Sequence, residues 1–200
     1  MRTQIENVQR IESWEKMVKK DSDSFLQVIV QKYLQKKITY EKMEQVFATV
    51  DDVIRDGDRF ITLCVDIDLT YKITNSLDYE ATKLSLIRYL EQVMNGKYFF
   101  WHFESEEGYF VFLVKTSKND TVKELKLLME HIKEEQNCPV VASISKPYKG
   151  MKGIGRSYEE AEKLFGLASA SGASAFTMPE EIEESEERTD FEDAELLIVN

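Results

Sequence analysis

The spacing of hydrophobic residues changes near residue 50. Before that point they recur every three or four positions, a spacing typical of α-helices. The sequence predicts three helices here, over 3–20, 24–36 and 40–50. Thr39 precedes the third and is a candidate N-cap. The turn Asp56-Gly57-Asp58 then marks a boundary, which we place within residues 51–58.

Beyond the turn, strands and helices alternate. Apolar side chains at every second position of 59–67 predict a strand, and Cys64 and Phe60 make it a central one. The further predicted elements are a helix over 78–95, strands over 97–104 and 108–115, a helix over 121–135, a strand over 140–144, a helix opening at Ser157 and a short strand near 173–177. Thr121 with Glu124, and Ser157 with Glu160, have capping-box spacing.

The element order indicates the fold class. Strand, helix, strand, strand, helix, strand is the split βαβ order of a ferredoxin-like antiparallel sheet with its helices on one face. The sequence therefore predicts an α+β domain preceded by an N-terminal helical segment. We divide the chain into a helical linker segment (1–52), the α+β domain (53–179) and an acidic linker or tail (180–200).

Charge is distributed unevenly. The formal net charge is −11, and ten acids against one base between Glu180 and Glu195 account for −9 of it. The remainder is nearly neutral and has no basic face, so we expect no direct contact with nucleic acid. We expect the acidic segment to be solvated.

Composition predicts a soluble, cytoplasmic protein. Hydrophobic residues make up 42% and charged residues 32% of the chain. No apolar run approaches the roughly 20 residues of a membrane span, and Met1 is not followed by the apolar stretch of a signal peptide. Cys64 and Cys138 lie in apolar runs and are predicted to be reduced, buried thiols.

Two groups of acids are candidates for chemistry. Asp66 and Asp68 lie two residues apart near the end of the first strand, so both carboxylates could contact one hard cation. A strand end entering solvent would explain them equally. Glu104, Glu106 and Glu107 lie in the predicted hairpin turn, where they are either a further metal-facing group or an ordinary charged turn.

The remaining polar motifs are weak. His102 and His131 have no second His or Cys at ligand spacing. The segment from Gly150 to Gly155 lacks the Walker and dinucleotide-binding spacings and is predicted to be a flexible loop before Ser157. Four basic residues nearby could bind an anion or form a solvated loop: Lys146, Lys149, Lys152 and Arg156. We assign no catalytic, cofactor-binding or metal-binding residue and expect no cofactor.

The run Phe60–Asp68 resembles the opening strand of GGDEF-type domains, and Lys72 and Asn75 stand near that family's Lys and Asn. When Phe110 is aligned with the Phe of the signature, residues 106–109 occupy its other four positions. The resemblance then implies that Gly108 stands where the family has its metal-binding acid. Cyclase chemistry needs that carboxylate on the metal, so this departure argues against activity.

A second resemblance is narrower. Ala142-Ser143-Ile144-Ser145 and Ile154–Ala161 resemble the "GIS … SY-x-EA" signature of degenerate GGDEF-like modules. These lie between the receiver and helix-turn-helix domains of AraC-type response regulators and in related sugar-diacid and purine regulators. The resemblance covers roughly residues 5–180 and includes the helical preamble. We therefore expect an excised central region of such a regulator, or a stand-alone relative.

The resemblance implies a non-catalytic signalling module of a bacterial two-component transcriptional regulator. It would relay receiver or ligand state to a DNA-binding domain, as a homodimer, with the receiver and helix-turn-helix domains of the parent protein as partners. Candidate self-association surfaces are the first helix, with Ile11 and Trp14, and the aromatic strand 98–103. The alternatives are a domain that senses a small molecule or nucleotide and, from the acids Asp66, Asp68 and Glu106, a divergent nucleotide cyclase.

Overall fold

The computed structural model describes residues 22–50, 54–55, 57–67, 76–135, 140–170 and 176–177. The chain divides into two compact units, Met1–Ile54 and Arg55–Asn200. The predicted helix over 3–20, the residues Ile11 and Trp14, and the acidic segment lie outside the described residues.

The first unit contains two described helices, α1 over residues 22–34 and α2 over Tyr40–Phe47. Both were predicted, and both end a few residues earlier than expected. Thr39 is the N-cap of α2, because its side-chain hydroxyl accepts a hydrogen bond from the backbone N–H of Lys42 at 3.4 Å. The buried side chains of this unit recur at helical spacing: Leu26, Val30, Leu34, Met43 and Phe47.

The second unit has a mixed architecture. Its elements, in chain order, are β1 (Arg59–Ile67), α3 (Ser76–Met94), β2 (Phe99–Glu104), β3 (Phe110–Thr116), α4 (Thr121–Glu135), β4 (Val140–Ile144), β5 (Tyr148–Lys149), α5 (Lys152–Ala170) and β6 (Phe176–Thr177). The strands form one sheet in the order β2-β3-β1-β4-β6, with β5 beside β1. β6 runs parallel to β4, and the other pairs are antiparallel. This confirms the predicted α+β fold, with β1 central.

The two faces of the sheet carry different helices. Alternate side chains of β1, beginning at Ile61, form the main apolar core with α3 and α4. Thr62, which lies between them, faces α5, because its hydroxyl hydrogen-bonds Ser157 at 2.9 Å. On β4 the Ser143 hydroxyl donates to the Ala161 carbonyl of the same helix at 2.7 Å. The two helices of the ferredoxin-like order thus share a face, and α5 covers the other.

The start of α5 differs from the prediction. The helix begins at Lys152, so Ser157 lies inside it instead of capping it, and Gly153 and Gly155 are helical residues instead of a flexible loop. Gly153 is needed because a β-carbon there would lie 2.3 Å from the Tyr148 carbonyl oxygen. Gly153 thus marks a close approach between helix and strand.

The predicted capping box of α4 does not form. Thr121 is the first helical residue, and its hydroxyl pairs with that of Thr116 at 2.7 Å. Glu124 accepts a hydrogen bond from the Tyr98 hydroxyl and lies 3.3 Å from the Lys97 ammonium. Partners from the segment just before β2 therefore replace the local contact that the spacing suggested.

Candidate functional site

The turn between β2 and β3 has a defined backbone. The N–H of Ser105 donates to the Tyr109 carbonyl at 2.8 Å, and the N–H of Gly108 donates to the Ser105 carbonyl at 3.2 Å. The Tyr109 N–H donates to the Ser105 hydroxyl at 3.2 Å. Gly108 has φ +92°, a conformation that side-chain-bearing residues rarely adopt. The turn therefore requires glycine at the position where the GGDEF resemblance implied an acid.

A buried lysine from α3 reaches this turn. Lys83 has only 6% of its side chain exposed, and its ammonium lies 2.8 Å from the carboxylate of Glu104, which is 53% exposed. The same ammonium donates to the Gly108 carbonyl. It also lies 5.3 Å from the ring centre of Phe110 and 5.7 Å from that of Tyr79, within cation–π range. One cation thus joins α3 to the turn.

Asp66 lies at the end of β1, where it is partly buried. Its carboxylate accepts hydrogen bonds from the Tyr79 hydroxyl at 3.0 Å and from the Ile67 N–H at 2.8 Å. Burial raises the pKa of Asp66; these hydrogen bonds and the charge of Lys83 lower it in part, while Glu104 raises it further. Asp66, Lys83 and Glu104 therefore interact electrostatically.

The structure brings together only part of the predicted acidic site. Glu104 pairs with Lys83, whereas Glu106 and Glu107 are exposed in the turn. Asp68 lies outside the described residues, as do Lys72 and Asn75. Across the described parts of the chain, no cluster of three or more His, Cys, Asp or Glu side chains could hold a metal ion.

Lys83 is the site residue that the sequence reasoning missed. A signal was present, because Lys83 lies four residues after Tyr79 and three before Leu86, within the inward-facing stripe of α3. A lysine inside an apolar stripe is rarely buried unless it is paired. Finding the partner required the hairpin geometry, which brings Glu104 and Gly108 to the helix.

A second polar cluster lies on the α5 side of the same turn. The hydroxyls of Tyr109 and Tyr158 are 3.2 Å apart, and both donate to one carboxylate oxygen of Glu162, at 3.1 and 2.8 Å. The Tyr109 ring packs against Phe165 with ring centres 4.6 Å apart. Burial, foremost, raises the pKa of both tyrosines. Both hydroxyls therefore stay protonated and act as donors at neutral pH.

The "SY-x-EA" residues fasten α5 to the sheet. Ser157 bonds Thr62, Tyr158 belongs to the tyrosine cluster, and the Ala161 carbonyl accepts from Ser143. The Glu160 carboxylate accepts from the Lys146 N–H at 2.6 Å. Each of these contacts joins α5 to another part of the same domain.

The other residues that the sequence analysis singled out are described by their packing and exposure. His102 is half-buried, stacks on Phe112 and lies 3.2 Å from Glu91, and His131 is exposed on α4. Trp101, in the aromatic strand suggested for self-association, is 1% exposed and stacks on Phe60, so it belongs to the core. Cys64 is buried, as predicted, and burial raises its pKa, whereas Cys138 lies outside the described residues.

The basic residues near α5 do not converge on a purely cationic site. Lys149 is in β5, and Lys152 and Arg156 lie along the first turns of α5. The Glu160 carboxylate accepts a hydrogen bond from the Lys146 N–H, and Glu160 lies four residues after Arg156 on α5. An acid within the group weakens the field that an anion would meet.

In the part of the chain that the structure describes, no helix is both long enough and apolar enough to span a bilayer.

Comparison with known proteins gives one family match. The family model for the GGDEF-like domain matches residues 54–165. A solved structure of a microbial GGDEF domain, described for its interaction with bis-(3,5)-cyclic di-GMP, superposes with a TM-score of 0.48 at 18% identity. The superposition covers 69% of this chain and 91% of that one. No curated protein matches the chain.

Proposed function

The chain belongs to the GGDEF-like domain family, and from the state of its signature turn we propose that it is a non-catalytic signalling module. The observation that carries the proposal is the pairing of Gly108 with Lys83. Where the resemblance implies a metal-binding acid, the chain has a glycine whose carbonyl accepts a hydrogen bond from a buried ammonium.

The charges at the turn argue against metal chemistry. A divalent cation there would need oxygen ligands and a net negative field. Lys83 already neutralises Glu104 at 2.8 Å and lowers the negative potential around Asp66. A second cation would therefore be repelled by a group that the fold holds in place.

We place the module in a bacterial transcriptional regulator of the AraC-type response-regulator class. Support comes from the resemblance of 142–145 and 154–161 to the signature of such central domains, and from the nearly neutral charge of the chain before its acidic segment. In this setting the module works as a homodimer between a receiver and a helix-turn-helix domain. Light scattering at high protein concentration tests the dimer, and a monomer would count against it.

The catalytic question is tested with the purified chain. GTP or ATP is incubated with Mg²⁺ or Mn²⁺, and products are separated by chromatography, with an active GGDEF cyclase as the positive control. We expect no cyclic nucleotide and no phosphate release. A product that forms with the chain and disappears with Asp66→Asn would overturn the proposal.

A titration distinguishes the sensing alternative. GTP and cyclic di-GMP are each titrated calorimetrically, with Mg²⁺, into the chain and into Asp66→Asn. Absence of binding at millimolar ligand supports a structural relay. Binding that depends on Asp66 would instead indicate a nucleotide sensor without turnover.

A further inference from the structure

We propose that the turn from Glu104 to Phe110 is a two-sided clamp that couples α3 to α5 across the sheet. The two helices lie on opposite faces, and the turn has polar contacts with both. On the α3 side Lys83 acts as a built-in cation that fixes the turn without a bound ion. On the α5 side Tyr109 fixes the same turn to Tyr158 and Glu162.

The α3 side depends on an ammonium that has little access to water. Lys83 is almost fully buried and bonds both Glu104 and the Gly108 carbonyl, one at each end of the turn. Charge-assisted hydrogen bonds of this kind are stronger than neutral ones. Lys83 belongs to a continuous helix of 19 residues and bonds the turn directly, so a movement of α3 should displace the turn with it.

On the α5 side, two tyrosine hydroxyls and one carboxylate hydrogen-bond one another. Tyr109 and Tyr158 donate to the same oxygen of Glu162, and the Tyr109 ring rests on Phe165. Tyr158, Glu162 and Phe165 lie on α5 at spacings of four and three, so they form one face of the helix. Tyr109 is therefore held by a rigid element.

The two sides meet in a single peptide plane. Lys83 binds the carbonyl oxygen of Gly108, and the N–H of the same peptide bond belongs to Tyr109 and donates to the Ser105 hydroxyl. Since the peptide group is planar, rotation of the Gly108 carbonyl reorients the Tyr109 N–H with it. Loosening either side should therefore loosen the other.

Backbone amide hydrogen exchange on the full chain tests the coupling. Lys83→Met removes the α3 side, and we expect exchange of the α5 amides from Tyr158 to Phe165 to rise roughly twofold or more. That factor corresponds to the weakest coupling typical of residues that share a contact network. In the reverse direction, Tyr158→Phe and Glu162→Gln should raise exchange of the α3 amides around Lys83. If Lys83→Met does not fold, Glu104→Gln weakens the same side through an exposed residue.

Two controls separate coupling from general loss of stability. Arg88→Met removes an exposed cation from the same helix and should leave α5 exchange unchanged. Met129→Ala creates a core defect in α4, away from the turn, and reports the rise caused by global unfolding alone. The clamp predicts that Lys83→Met raises α5 exchange more than Met129→Ala does when the two variants are compared at the same free energy of unfolding.

A result confined to one side would overturn the inference. If Lys83→Met or Glu104→Gln changes exchange only in α3 and the turn, the two sides are independent. The clamp concerns coupling within the chain and does not rest on the proposed function. A cyclase product would refute the non-catalytic role. Exchange changes that stay on the mutated side would refute only the clamp.

Discussion

Replacing Gly153 with alanine should destabilise the protein, whereas the same replacement at Gly166 should stabilise it. Both glycines belong to α5, so the chemical change is the same. At Gly153 the added β-carbon would lie 2.3 Å from the Tyr148 carbonyl oxygen and 2.7 Å from its carbonyl carbon. At Gly166 nothing lies within 4 Å of the added carbon. The pair therefore isolates the close approach between α5 and β5.

The expected magnitudes follow from two opposing effects. Alanine is favoured over glycine inside a helix by about 0.5–1 kcal/mol, and Gly166→Ala should gain that amount. At Gly153 the carbon would be about 1 Å nearer to Tyr148 than an ordinary contact. The obstacle is backbone and cannot rotate away, so the overpacking cost of about 1–3 kcal/mol applies. We expect Gly153→Ala to lose about 1–2 kcal/mol in the free energy of unfolding.

Thermal and urea unfolding of the two variants measure the difference. For a chain of this length one kcal/mol shifts Tm by about 2–4 °C, so Gly153→Ala should lower Tm by about 2–8 °C and Gly166→Ala should raise it by about 1–4 °C. Equal shifts of the same sign would refute the reasoning, because they would show that helix propensity alone decides both positions. A Gly153→Ala protein as stable as the original would show that β5 moves aside freely.

Three further variants test individual contacts. Burial raises the pKa of Asp66, so the folded state holds its proton more tightly than the unfolded chain, and the carboxylate costs stability above the unfolded pKa. Asp66→Asn should therefore raise Tm at pH 7, and the gain should vanish below about pH 4; a pH-independent gain would contradict this cause. Ser157→Ala should lose about 1–3 kcal/mol in urea unfolding, because it leaves the buried Thr62 hydroxyl without this partner; an unchanged midpoint would contradict the role given to the motif. Thr39→Ala should raise amide exchange through α2 by removing about 0.5–1 kcal/mol of capping, and unaltered exchange would show that the long 3.4 Å bond contributes nothing.

The fold was predictable where local pattern and tertiary structure agree. The alternation along β1 gave a central strand, and the element order gave the antiparallel sheet with two helices on one face. The start of α5 was missed because glycines at 150, 153 and 155 are typical of a loop by propensity. In the fold, Gly153 is the residue that lets the helix lie against β5, and Gly155 is buried in the same first turns, so tertiary contact outweighs propensity.

Only some residues of the site could be predicted from the sequence. Asp66 and the acids of the turn were found because strand ends and turns are where such residues concentrate. Lys83 was missed because its partners are 21 and 25 residues away along the chain. Only the pairing of β2 with β3, and the position of α3 beneath them, brings these groups together. Residues whose role depends on such non-local contacts cannot be assigned from spacing alone.

A tethered cation changes what such a site can respond to. A bound metal ion stabilises a protein by an amount that rises with the logarithm of its free concentration, so a turn held by metal depends on the supply of that ion. Lys83 is part of the chain, so its charge is present at every ion concentration. Chelators and added Mg²⁺ should therefore leave the Tm of this protein unchanged. A turn held in this way should follow movements of the helices it contacts. That property fits the proposed role, in which the module passes a state between neighbouring domains.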